Sequence, residues 1–334
     1  MNRVFIQTNE ADGNRVIVFE RGDDGALAQV ASLATGGTGD GVPHLTSQGS
    51  VVLTQDGTHL LVTNAGSGDV GVLALDDEPS LMQVVPTGAA PKSIAEHAGL
   101  VYVLNTGEPS LSGFRLTNGG LEPLEGSRRE LAADADPAQA GFDPDGSVLV
   151  VTQRGTDSLA AFPVGSDGLL GDPVVSPSAG PTPYGFAFGP DGALVVTEAF
   201  GAQKAKAAAS SYRVTGTEPE LVSGSVGNGR SEICWAVVTT DGRHAFTTNF
   251  ADGAVSSWTI GEDCRLTLED AVAGTGVDGQ PGLRDEGLSR DGRFLYAIDA
   301  DAGRIFGWSV EGGRLAAIGS WDGIPKTVAG LAAS

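Results

Sequence analysis

Lysine is scarce in this chain: four among 334 residues, at Lys92, Lys204, Lys206 and Lys326. Twenty basic residues face 42 acidic ones, for a net charge of −22. Such a field repels phosphate backbones and excludes nucleic acid as a general partner. An acidic, lysine-poor surface suits high salt, and a GC-rich genome produces the same bias. Cysteine is nearly absent too, and Cys234 and Cys264 have no metal-ligand spacing. The four histidines do not cluster. His59, His97 and His244 fall on one side of the repeat described below and leave His44 alone on the other, so no metal site is expected. No apolar run reaches eighteen residues and no secretory leader opens MNRVFIQTN. No membrane partner is expected, and the cytoplasm is the expected location. No long amphipathic helical pattern is present, which leaves an all-β chain rich in turns; glycine numbers 50.

What is present is a repeat. Residues 239–260, TTDGRHAFTTNFADGAVSSWTI, read as an Asp-Gly turn, a strand, a second turn and a second strand. Related phrases stand at 55–75, 97–116, 144–164, 190–214 and 290–310, with the second half alone at 4–21. The first strand of each pair ends at Asn9, Asn64, Asn105, Gln153, Glu198, Asn249 or Asp299. Their mean spacing of about 48 residues is room for a four-stranded propeller blade. The expectation is an all-β, seven-bladed β-propeller of antiparallel four-stranded blades, filling 1–334 as one domain. Strands are lettered A to D from the centre outward, so the repeated pair is B and C.

Strand A precedes each Asp-Gly turn, at 50–53, 93–96, 139–142, 184–188, 233–238 and 285–288. The seventh is missing from the N-terminus. IPKTVAGLAAS near the C-terminus matches APKSIAEHAG at 90–99, so residues 326–331 are expected to close the first blade. Closure leaves no open ring edge. Strand C carries a bulky column, Phe19, Leu73, Phe114, Phe162, Tyr212, Trp258 and Trp308, expected to pack blade against blade. The two cysteines lie three strands apart in one blade, roughly 14 Å. A disulfide needs Cα atoms within about 7 Å, so both thiols are expected free.

In this fold strand A starts and strand B ends share one mouth of the central channel. From the strand A starts come Gln48, Lys92, Gln139, Tyr184, Glu232, Trp235, Arg284, Asp285 and Lys326, and His44 lies in the long connection nearby. Lys92, Arg284 and Lys326 would present cations to a small anionic metabolite, or pair with Asp285, Asp299 and Glu198 to join blades. The insertion GAQKAKAAAS at 201–210 is either a flap over the mouth or a plain surface loop. GSGDVG at 66–71 lies in a strand-to-strand turn rather than before a helix, and GGTGDG at 36–41 lacks a following Lys-Ser/Thr. No cofactor is therefore expected.

The recurrent phrase PDGxxLxVTN, as in PDGALVVTEAF, resembles the seven-bladed propeller lactonase family. That family includes a bacterial type of 6-phosphogluconolactonase and the carboxymuconate lactonising enzyme. TGGTGDG, CWAVVTTDGRHAFTTN and the terminal GLAAS resemble an uncharacterised bacterial branch of it. The resemblance implies a hydrolase or lactonising cycloisomerase with Glu198 as base and Arg284 beside the developing oxyanion. Gln48, Lys92, Gln139, Tyr184, Trp235, Asp285, Lys326 and His44 would then contact substrate. The family's His falls instead on Ala138 or Gln139, and its Arg-His pair on Tyr184-Gly185. Two readings stand beside an enzyme of small anionic lactones and sugar or muconic acids: a non-catalytic metabolite-binding propeller and a protein-interaction platform.

Overall fold

Each Asp-Gly turn is fixed by its own side chains. At 239–243 the Thr239 hydroxyl donates to Asp241 Oδ1 at 2.6 Å, and that oxygen accepts the Arg243 amide at 3.1 Å. Gly242 takes φ 71°, a left-handed conformation open to glycine without steric cost. Ser289, Asp291 and Arg293 repeat this around Gly292. These turns reverse the chain between strands A and B and so set the register of the whole repeat.

The computed structural model describes all residues except Met1, His44, Asp77 and Asp278. It is a ring of seven antiparallel sheets. In blade 1 the order from the centre is Leu331–Ala333, Arg3–Gln7, Arg15–Arg21 and Leu27–Ala34. Blade 5 is Pro183–Phe188, Ala193–Glu198, Ala208–Arg213 and Glu220–Gly227. Blade 6 is Ile233–Val238, His244–Asn249, Ala254–Ile260 and Leu266–Thr275, and blade 7 is Leu283–Leu288, Phe294–Asp299, Arg304–Glu311 and Arg314–Asp322. Blades 2 and 4 follow the same order, beginning with Val51–Leu53 and Pro137–Phe142. Blade 3 begins with Pro91–His97 and departs at its rim. There two short pieces, Gly120–Pro123 and Arg129–Glu130, both pair with strand C, Ser110–Thr117. Among the described residues no helix is long and apolar enough to cross a membrane.

The C-terminal strand does complete blade 1, but it is Leu331–Ala333 rather than the expected 326–331. Leu331, Ala332 and Ala333 pair with Ile6, Phe5 and Val4. Lys326 is not part of that strand. It stands exposed in a turn closed by the Val328 amide donating to Pro325 O. The likeness between IPKTVAG and APKSIAE is therefore not a structural alignment.

The bulky column is buried throughout, and each member packs against the preceding blade. Trp258 lies with Ala193 and Val195 of blade 5, Trp308 with Phe246 and Val255 of blade 6, and Tyr212 with Val148 and Leu159 of blade 4. Phe19 of blade 1 packs with Phe294 and Tyr296 of blade 7, which carries the apolar seam across the closure. Burial of one such side chain contributes on the order of 2 kcal/mol. Cys234 and Cys264 are both free and buried.

Candidate functional site

Strand A is bulged where it enters the ring. Register shifts fall between Pro137 and Gln139, Pro183 and Phe186, Ile233 and Ala236, and Leu283 and Glu286. A bulge takes backbone groups out of the ladder, and buried ones need other partners. Gln139 supplies them in blade 5: its amide accepts from Phe186 N at 2.7 Å and donates to Phe186 O at 3.0 Å. Gln48 does the same for Ala236 at 3.1 and 2.8 Å, reaching from blade 2 across the ring to blade 6. Trp235 Nε1 donates back to Ser47 O at 3.1 Å. Leu45 is buried with Ala65 and Ala329. The segment at 45–49 thus crosses the channel, and the mouth becomes a cup with a floor.

That cup is a cavity of about 370 Å³, within the size range of small-ligand pockets. Tyr184, Cys234, Trp235 and Arg284 line it from the strand A starts, and Thr46, Thr182 and Glu232 from the connections just before them. Arg154, Ala199 and Phe250 each follow the last residue of a strand B, and Gly201 and Ala202 complete the rim. The floor and one wall are apolar: Tyr184 meets Trp235 edge to face at 5.9 Å, and both pack with Ala138, Cys234 and Phe250.

Arg284 is the electrostatic centre of this wall. It is 7% exposed and its guanidinium lies 4.5 Å over the Phe250 ring. Its nearest carboxylate, Asp301, is 3.7 Å away and half exposed. Nε and Nη1 are buried with no hydrogen-bond partner among the described residues. Burial pulls its pKa down, the mark of a cation short of compensation. The adjacent acids do not supply it. Burial raises Asp285 to about 8 and Glu286 well above the usual carboxylate range, so both favour the neutral acid. Arg154, the second guanidinium on the wall, is already paired with Asp136 at 2.7 Å and lies 5.1 Å over the Tyr184 ring.

Of the residues singled out from the sequence, Tyr184, Trp235 and Arg284 come together on the cavity wall, with Glu232. The other described ones do not line it. Glu198 is fully buried within blade 5. Its Oε1 accepts from Gly180 N at 2.9 Å and from Ser210 Oγ at 2.5 Å, and its Oε2 accepts from Ser225 Oγ at 2.5 Å. Burial raises its pKa against the pull of those three donors. It fills the place held by Asn249 in blade 6, which bonds Ser256, and by Asn105 in blade 3, which bonds Ser112. The position ties strands B, C and D together. Gln48 and Gln139 are committed to backbone as described. Lys92 lies 4.0 Å from Asp40, Asp285 is buried off the wall, and Lys326 is in its turn. His44 lies outside the described residues.

The insertion is an anchored rim. Ala205 N donates to Ser231 Oγ, Ala207 N to Arg230 O and Gly201 N to Thr182 Oγ1. Phe200, Gly201 and Ala202 run through successive left-handed conformations, with φ of 50°, 57° and 61°. Arg154, Ala199 and Phe250 escaped sequence reasoning by one residue. The available signal was strand alternation: if the strand B end turns into the blade, its successor turns out of it.

Chemically, the wall offers a buried cation, aromatic faces and one carboxylate among the described lining residues, Glu232. Burial pushes the Cys234 thiol up to about 12 and the Tyr184 phenol upward as well, so neither is a ready nucleophile or base.

Fold and cavity together define a seven-bladed propeller with a floored pocket at one mouth. The fold is shared with a functionally unknown protein from Desulfotomaculum acetoxidans, at 12% identity and a TM-score of 0.77, covering 99% of this chain and 98% of that one. A candidate 6-phosphogluconolactonase from Bacteroides uniformis is similar at 17% identity and a TM-score of 0.72, covering 98% and 99%. A virginiamycin B lyase from Staphylococcus aureus is similar at 13% identity and a TM-score of 0.58, covering 83% and 84%. No protein-family model and no curated protein sequence matches the chain. At these identities the likeness is one of fold.

Proposed function

We propose that this propeller is lactonase-like in architecture and binds a small organic anion, a lactone or a sugar or muconic acid, in the cavity at the channel mouth. Arg284 is its charge partner. The observation that carries this reading is the buried, under-partnered guanidinium on the wall of a ligand-sized cup. An anion in the cup offsets the desolvation that Arg284 otherwise bears alone. The fold-level likeness to a candidate 6-phosphogluconolactonase supports the lactone class.

A thermal-shift screen tests it, since a ligand of the folded state raises the melting temperature. Carboxylates and lactone acids are expected to raise it in the wild type and to lose that effect in Arg284→Met. Equal shifts in both proteins would exclude Arg284 as the partner.

A catalytic form of this reading rests on Glu232, which shares the cavity with Arg284. Glu232 takes the proton of a water that attacks the lactone carbonyl, and Arg284 faces the oxyanion. The ring C–O bond then breaks and the leaving oxygen takes the proton back. Lactone hydrolysis lost in Glu232→Gln with anion binding retained supports this form; no hydrolysis in the wild type leaves a binding protein.

A further inference from the structure

We infer that the cavity selects a flat, apolar carboxylate, such as an arylcarboxylic acid, over polyhydroxylated or phosphorylated acids. This rests on the pocket being an anion site and narrows the class of anion given above, making the sugar acids the weaker ligands. Several of the polar groups around the wall are already engaged by the protein. Trp235 Nε1 donates to Ser47 O, Thr182 Oγ1 accepts from Gly201 N at 3.0 Å, and Cys234 Sγ donates to Glu232 O at 3.3 Å. Arg154 is held by the Asp136 carboxylate. What remains turned to the cavity is ring surface, the charge of Arg284 and the single carboxylate of Glu232.

A sugar acid brings several hydroxyls, each of which loses water on entry and needs a new partner. Few are on offer here, so each added hydroxyl weakens binding. A planar ring brings no such demand. It packs on the edge-to-face pair of Tyr184 and Trp235, where aromatic contacts add to area burial. Its carboxylate reaches toward the guanidinium that Phe250 holds from beneath. The volume of about 370 Å³ admits one ring with a short side chain rather than a polymer.

The test is a calorimetric series on the intact protein with benzoate, phenylacetate, D-gluconate, 6-phosphogluconate and inorganic phosphate. Benzoate or phenylacetate is expected to bind at least tenfold more tightly than the other three. Binding of the aromatic acids should quench tryptophan fluorescence, and Trp235→Phe should remove the quench. Arg284→Gln should weaken the aromatic acids at least tenfold. Phe250→Leu, at a partly exposed rim position, should weaken the aromatic acids severalfold and gluconate less. Gluconate or 6-phosphogluconate binding as tightly as the aromatic acids, and still through Arg284, would overturn the selectivity while leaving the anion site standing. Absence of binding by every acid, or binding indifferent to Arg284→Gln, would overturn both.

Discussion

Glu198 at the end of strand B in blade 5 and Arg284 at the start of strand A in blade 7 are both buried charges near one mouth. Their surroundings are opposite. Three donors close around the Glu198 carboxylate, which sits behind the cavity wall. Arg284 has two buried nitrogens with no hydrogen-bond partner among the described residues and stands on that wall. A fully satisfied buried charge is a strut, and an unsatisfied one beside an empty space is a place for a ligand. The contrast separates two residues that the sequence placed in one constellation.

The largest expected effect falls on the strut. Glu198→Ala leaves two hydroxyls and an amide without their acceptor and is expected to cost about 3 kcal/mol of stability, read as a shift in the urea midpoint. Anion affinity should not change. A stable Glu198→Ala protein that no longer binds would reverse the assignment of the two residues.

The pH dependence of stability comes next. In the fold Asp285 holds its proton up to about 8, against an ordinary value of 3.8. Between those values the folded state binds the extra proton, so stability falls as pH rises. The slope is on the order of 1.4 kcal/mol per pH unit for one such group, and Glu286 acts in the same direction. The urea midpoint should be higher at pH 5 than at pH 7, with a flatter profile in Asp285→Asn. A midpoint that rises with pH would mean that Asp285 is ionised and compensates Arg284.

Arg284→Met should be neutral or stabilising by about 1 kcal/mol, because it removes a poorly compensated buried charge and keeps an apolar stem. A loss of several kcal/mol would show that the guanidinium is itself structural. The smallest effect is expected at Lys92. Its ion pair with Asp40 is at the limit of contact, 4.0 Å, and Lys92→Met should change stability and anion affinity by no more than about 0.5 kcal/mol.

The ring was legible because its determinants are local. Alternating strands and one bulky position per strand C repeat seven times and the Asp-Gly turn five times, and each acts within a few residues of itself. The closing strand was legible in kind but not in its bounds, which are Leu331–Ala333 rather than 326–331. Its short likeness to 90–99 could not say which residue faces Ile6. The site was legible only where strand A side chains face the cup directly, as at Tyr184, Trp235 and Arg284. The bonds of Gln48 and Gln139 were not legible because their partners are backbone groups freed by bulges in other blades, one of them across the ring. Glu198 carried the family resemblance, yet its role depends on Ser210 and Ser225, twelve and twenty-seven residues on. Arg154 and Phe250 were hidden by a single step of strand alternation.

The most direct test of the contrast is a calorimetric titration of phenylacetate onto wild type, Glu198→Gln and Arg284→Met side by side. Glu198→Gln is expected to bind within about twofold of wild type and Arg284→Met at least tenfold more weakly, a difference of ~1.4 kcal/mol or more. Binding lost in Glu198→Gln and kept in Arg284→Met would contradict the contrast.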